Sequence, residues 1–175
     1  MLRTTLAKAY IKRTIRPLYG WTQATPKSSF LKASSPTAGT SNALVFPGFA
    51  LVQTGGDEYD VPTATTDKIV GLCAQYIGGD GINEPSDSGV NAIAVWTLGP
   101  SAEFEISAPA FDTAVTPVVG DNVYAYATSA ATGKQWGQLV TGASAPTGAT
   151  TTVIAKVVKV NSATKITIRG LFGTL

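Results

Sequence analysis

The chain has 175 residues, a formal net charge of +2, 14% charged residues, one cysteine and no histidine, which suits one domain of ordinary size plus an appendage. Without histidine the commonest general base and metal ligand are missing, along with any Ser-His or Cys-His dyad, and a lone cysteine excludes an internal disulfide. The small net charge hides a division by position: residues 1–32 hold seven Lys or Arg and no acid, whereas 33–175 hold six against eleven Asp or Glu, so a +7 leader precedes a −5 body.

In the leader, Leu2, Leu6, Tyr10, Ile11, Ile15 and Leu18 fall on one side at helical spacing, with Lys8, Lys12 and Arg16 on the other, and Pro17 and Gly20 close the segment. The spacing predicts a basic amphipathic helix over 2–16, marginal in isolation at ~15 residues and without acids for i,i+4 pairing, so it orders on docking. Charges scattered through the first 20 residues leave no secretory core. No run approaches the ~20 apolar residues of a membrane span, so a soluble protein made in a reducing cytoplasm is expected. From Trp21 to Asn42 the periodicity gives way to Thr, Pro, Ser, Lys and Gly, with Trp21, Phe30 and Leu31 as the large apolar groups, which reads as an extended arm with anchor points. Residues 1–42 are thus expected to be an arm and 43–175 a β domain.

From Ala43 onward short β runs alternate with Gly, Pro, Asp and Asn, as in an antiparallel barrel or sandwich. Strands are predicted at 43–53, 68–77, 90–98, 102–107, 121–127, 135–141, 150–160 and 164–172. Phe104 and Ile106 alternate with Glu103 and Glu105, and Ile166 and Ile168 with Lys165, Thr167 and Arg169, so each segment is expected to bury one face. The last two strands meet through Asn161-Ser162-Ala163 as a hairpin. Gly78 to Gly89, Ala108 to Gly120 and Thr141 to Ala149 read as surface loops. Cys73, within an apolar run, is expected to be a small buried hydrophobe.

Candidate chemistry is sparse. The acids Asp57, Glu58 and Asp60, and Asp80, Glu84 and Asp87, offer oxygen ligands but spell no calcium loop, and Gly78-Gly79-Asp80-Gly81 lacks its repeat, so no metal is expected. Glu103 and Glu105 share one face of a strand as a glycosidase pair would, but exposed alternation accounts for them. No nucleophile elbow, phosphate loop or dinucleotide fingerprint occurs, so no catalytic residue and no cofactor is expected. The leader has three readings: neutralising nucleic-acid phosphates, a mitochondrial address, or docking into a groove between acidic protein subunits. The large apolar residues interleaved with its cations favour docking. Arg3, Lys8, Lys12, Arg13 and Arg16 are then the expected contacts, with Trp21 and Phe30 as hot-spot candidates.

The succession Phe46-Pro47-Gly48-Phe49-Ala50-Leu51-Val52, Lys68-Ile69-Val70-Gly71-Leu72-Cys73-Ala74, Val90 to Leu98 with Ala102-Glu103-Phe104-Glu105-Ile106, and Val119-Gly120-Asp121-Asn122-Val123-Tyr124 resembles small capsid decoration (cement) proteins of tailed bacteriophages. The apolar hairpin from Thr152 to Leu171 is similar to theirs, and the likeness spans about residues 45–172. It implies a mainly β protein: a single antiparallel β-barrel, β-tulip or sandwich, commonly a homotrimer. It further implies a virion protein that binds the major capsid protein on the outer shell and staples neighbouring subunits, with no catalytic residues to transfer. The basic arm departs from that pattern. An alternative is a glycan- or ligand-binding β module of a virion or cell surface, with Trp96, Trp136 or Tyr126 as stacking groups.

Overall fold

The computed structural model describes residues 14–19, 22–24, 30–31, 44–55, 58–74, 77–78, 91–92, 95–127 and 134–171. Among them the chain forms, in order, β1 (Ile15–Tyr19), β2 (Thr22–Ala24), β3 (Phe30–Leu31), β4 (Leu44–Val45), β5 (Ala50–Gly55), β6 (Glu58–Asp60), β7 (Gly71–Cys73) and β8 (Ile77–Gly78). There follow β9 (Asn91–Ala92), β10 (Val95–Thr97), β11 (Glu103–Ser107), β12 (Asn122–Ala125), β13 (Leu139–Gly142), β14 (Ala155–Ser162) and β15 (Lys165–Gly170). A six-stranded sheet runs β1-β11-β15-β14-β12-β13, a seven-stranded sheet runs β2-β10-β7-β5-β6-β3-β9, and β4 pairs with β8. Among the described residues the pairings between these strands are antiparallel except that of β3 with β6. Neither large sheet closes on itself, so of the expected architectures the sandwich is the one formed.

The alternating runs build its core. Phe104 sits opposite Ile168, and Ile106 opposite Ile166, and all four are fully buried. They share one cluster with Val123, Ala125, Leu139, Ala155 and Val157 of the same sheet and with Ala50, Leu51, Leu72, Cys73 and Val95 of the other. Burying each large aliphatic or aromatic side chain contributes about 1.5–3 kcal/mol, and period-two alternation directs it inward. Cys73 is one of these buried groups. The expected β14–β15 hairpin forms, with register shifts at Val157/Lys159 and Val160/Ser162, and closes on the Ser162–Lys165 pair, so that Asn161 and Ser162, expected in the link, belong to β14.

Three features depart from the sequence reading. The helix expected over 2–16 is strand at its end: Ile15 and Arg16 belong to β1, and residues 1–13 lie outside the described residues. Arg16 precedes Pro17, which disfavours the helical region for it, and the edge of β11 offers backbone partners that a lone helix lacks. Pro17 is tolerated because β1 is an edge strand. Second, β1, β2 and β3 all fall within the expected arm, yet they pair with β11, with β10, and with β6 and β9. Thr14 is buried and its hydroxyl donates to the Pro47 carbonyl, its own carbonyl accepts from the Ser107 N–H at 2.8 Å, and Ile15 packs on the core. Third, the loop expected at the surface from Ala108 to Gly120 sends Ala110 and Phe111 inside, with Phe111 bridged to Leu139.

Candidate functional site

The outer face of the six-stranded sheet has two halves. Over β12 and β13 it is roofed: Tyr124, Tyr126, Val140 and Ala149 form a second apolar cluster, with Val115 and Val153 packed on it. Within this roof the Tyr126 hydroxyl donates to Asp112 Oδ2 at 2.8 Å, Lys134 Nζ lies 3.8 Å from the same oxygen, and the ammonium stands 4.6 Å from the Tyr126 ring centroid. Burial pushes the Tyr126 phenol above its ordinary 10.0, with Asp112 adding to the rise and Lys134 opposing it. Lys134 is raised above 10.5, chiefly by its bond to Tyr126.

Over β1, β11, β15 and β14 the face is charged, and no described residue roofs it. Antiparallel register sets Arg16 opposite Glu105, Glu105 opposite Thr167 and Thr167 opposite Lys159; the next row sets Glu103 opposite Arg169 and Arg169 opposite Lys156. Directly opposed residues point to one side of a sheet, so Arg16, Lys156, Lys159, Lys165 and Arg169 share this half with Glu103 and Glu105. Five cations against two carboxylates give the half a net +3. Arg169 Nε donates to Glu103 Oε1 at 2.7 Å, and a second guanidinium nitrogen reaches the same oxygen, which lets Glu103 be 5% exposed although it faces outward. Glu105 lies between Arg16 at 3.3 Å and Lys165 at 3.5 Å. Lys156 and Lys159 are exposed and take part in no ion pair among the described residues.

Of the leader residues singled out from sequence, Arg16 is the one the structure places on this face, where its guanidinium is directed to Glu105 of its own chain. Arg3, Lys8, Lys12, Arg13 and Trp21 lie outside the described residues, and Phe30 is placed by its backbone alone, in β3 opposite Glu58 and Ala92. The groups proposed for stacking a glycan pack against the apolar clusters. Tyr126 is 1% exposed in the roof, while Trp96 and Trp136 pack against the main core, Trp96 with its ring 6.3 Å from that of Phe104. Lys156, Lys159, Lys165 and Arg169 were missed as a group, although the sequence carries a signal: four of the six cations after residue 32 fall within 156–169.

A family model described as phage cement protein matches residues 1–173. The chain belongs to this family. The match includes the leader, which therefore belongs to the family pattern rather than lying outside it. Among solved structures, a chain in the capsid of Myoviridae phage XM1 shares the fold at a TM-score of 0.53 and 19% identity, over 90% of this chain and 96% of that one. No curated protein matches. Cement-family membership makes the protein a structural component of the phage virion, associated with the capsid, and implies a non-enzymatic role.

Proposed function

We propose that the protein is a capsid decoration protein that binds the major capsid protein on the outside of the shell, as a trimer, and staples neighbouring subunits after synthesis in the host cytoplasm. The family match over residues 1–173 carries this reading. The leader acts as a tether: Arg3, Lys8, Lys12 and Arg13 steer it to acidic subunit surfaces, and Trp21 and Phe30 supply apolar anchors. A standard interface buries ~800 Å² per partner, and tethering a second contact to a first raises avidity by ~10²–10⁴.

The test is co-sedimentation of the protein with shells assembled from the phage's major capsid protein alone. The full chain should decorate the shells and raise their thermal stability, and its mass in solution should be that of a trimer. Removing residues 1–13 leaves β1 and Thr14 in place and should lower occupancy, whereas removing 1–32 would also take β1, β2 and β3 out of the sheets. Absence of binding by the full chain would refute the capsid role. Undiminished occupancy without residues 1–13 would refute the tether.

A further inference from the structure

We propose that the open half of the six-stranded sheet, centred on Lys156 and Lys159, is a second docking surface, separate from the leader, and that its partner is an acidic protein surface of the shell. The inference rests on the capsid-binding reading above and names the face of the β domain that makes the contact.

Charge distribution is the first support. Residues 33–175 carry −5 overall, yet four of their six cations and two of their eleven acids stand on this one half-face; the remainder holds Lys68 and Lys134 against nine acids. A −5 body whose half-face carries +2, or +3 once Arg16 of the leader joins it, is polarised, and such a face orients an approaching molecule toward negative potential.

The second support is a local cost that folding does not require. Lys156 lies directly opposite Arg169, and like charges directly opposite across strands destabilise a sheet. Arg169 is turned to Glu103, which serves one of the two cations; Lys156 and Lys159 have no carboxylate within ion-pair reach among the described residues. β14 lies between β15 and β12, with Lys156 paired to Asn122 on its other side, so Lys156 is not there to guard a sheet edge.

The third support is where exposed apolar groups lie. Among the described residues the exposed large hydrophobics are Leu18, Val118, Val119, Val160 and Leu171. Leu18 is in β1, Val160 in β14, and Leu171 follows β15. Val118 and Val119 belong to a turn held against β14 by the Gly120 N–H on the Val157 carbonyl at 2.8 Å, and fastened by the Val118 N–H on Asp121 Oδ2 at 2.8 Å. Gly120 adopts φ +96°, a conformation that suits glycine in such a turn. All five thus attach to the sheet that carries the cations, Val160 in the row of Ile166 rather than in that of Lys159. Exposed apolar area on the sheet that carries the cations matches a protein surface; a phosphate backbone would use the charges alone.

The experiment uses the full chain with K156E/K159E, and K156Q/K159Q as a milder form, against cement-free shells of the major capsid protein, with duplex DNA as a parallel probe. The reversal should weaken shell binding about tenfold or more at low ionic strength, and the difference should shrink in about 1 M salt, where the Debye length is about 3 Å. Folding should respond in the opposite sense: K156E places a carboxylate opposite Arg169, so the variant's Tm should hold or rise, which a purely structural role for these lysines would not allow. Equal shell binding by wild type and K156E/K159E would overturn the proposed face while leaving the capsid reading intact. Failure of the wild-type chain to bind shells at all would overturn both, and tighter wild-type binding to DNA than to shells would overturn the choice of an acidic protein partner.

Discussion

Tyr126 allows the roof over β12 and β13 to be tested with one atom. Y126F removes the hydroxyl that donates to Asp112 Oδ2 at 2.8 Å and keeps the ring beneath Lys134. A hydrogen bond to a charged group contributes about 1.5–3 kcal/mol net. Each kcal/mol is worth about 2–4 °C for a chain of this size, so Tm at neutral pH should fall by about 3–12 °C. The same substitution should alter the alkaline limb. The folded state holds the Tyr126 proton more tightly than the unfolded chain, whose ordinary value is 10.0. Its stabilisation is therefore complete below pH 10 and is lost as pH rises through the raised folded value. Lys134, raised above 10.5 through its bond to Tyr126, contributes with the same sign. The wild type should lose stability above pH 10 more steeply than Y126F, so the gap between them should narrow there. Urea unfolding followed by circular dichroism at pH 7 and above pH 10 measures both effects. A Y126F protein as stable as wild type at pH 7, or one with an identical alkaline loss, would sink the reasoning.

Other substitutions test the sheets. Ile168 is fully buried opposite Phe104 and Val157, and I168A should cost about 2–5 kcal/mol by urea midpoint, since the cavity adds to the lost transfer energy. Gly137 sits at φ +80° with its would-be Cβ 2.8 Å from the Ala50 carbonyl oxygen; G137A should cost at least about 2 kcal/mol, the left-handed conformation alone accounting for roughly 1–2. R169A uncovers the buried Glu103 carboxylate and should cost about 1–3 kcal/mol, below the 3–5 of a wholly buried pair because the Arg169 side chain is 51% exposed. A double-mutant cycle with E103Q would show additivity if the pair contributed nothing.

The mainly β class and most of the core were legible from residue patterns alone. Phe104, Ile106, Ile166 and Ile168 alternate with polar neighbours, and a period of two admits one solution in which apolar groups leave water. The 155–170 hairpin was readable for the same reason, and so was the family resemblance, because its apolar runs are local in sequence. Pairing across long separations was not. Ile15 and Arg16 fit a helical period as well as a strand, and what settles them is the free edge of β11, some 90 residues downstream. Phe111 looked like a loop residue because its burial depends on Leu139 reaching it from another segment. The concentration of cations was likewise visible only as spacing: Lys156, Lys159, Lys165 and Arg169 are near neighbours in the chain, but register decides that they share one side of a sheet with Arg16. Side-chain alternation and charge count are properties of the chain itself, whereas which strand meets which, and hence which charges stand together, depends on closing loops whose partners no local pattern names.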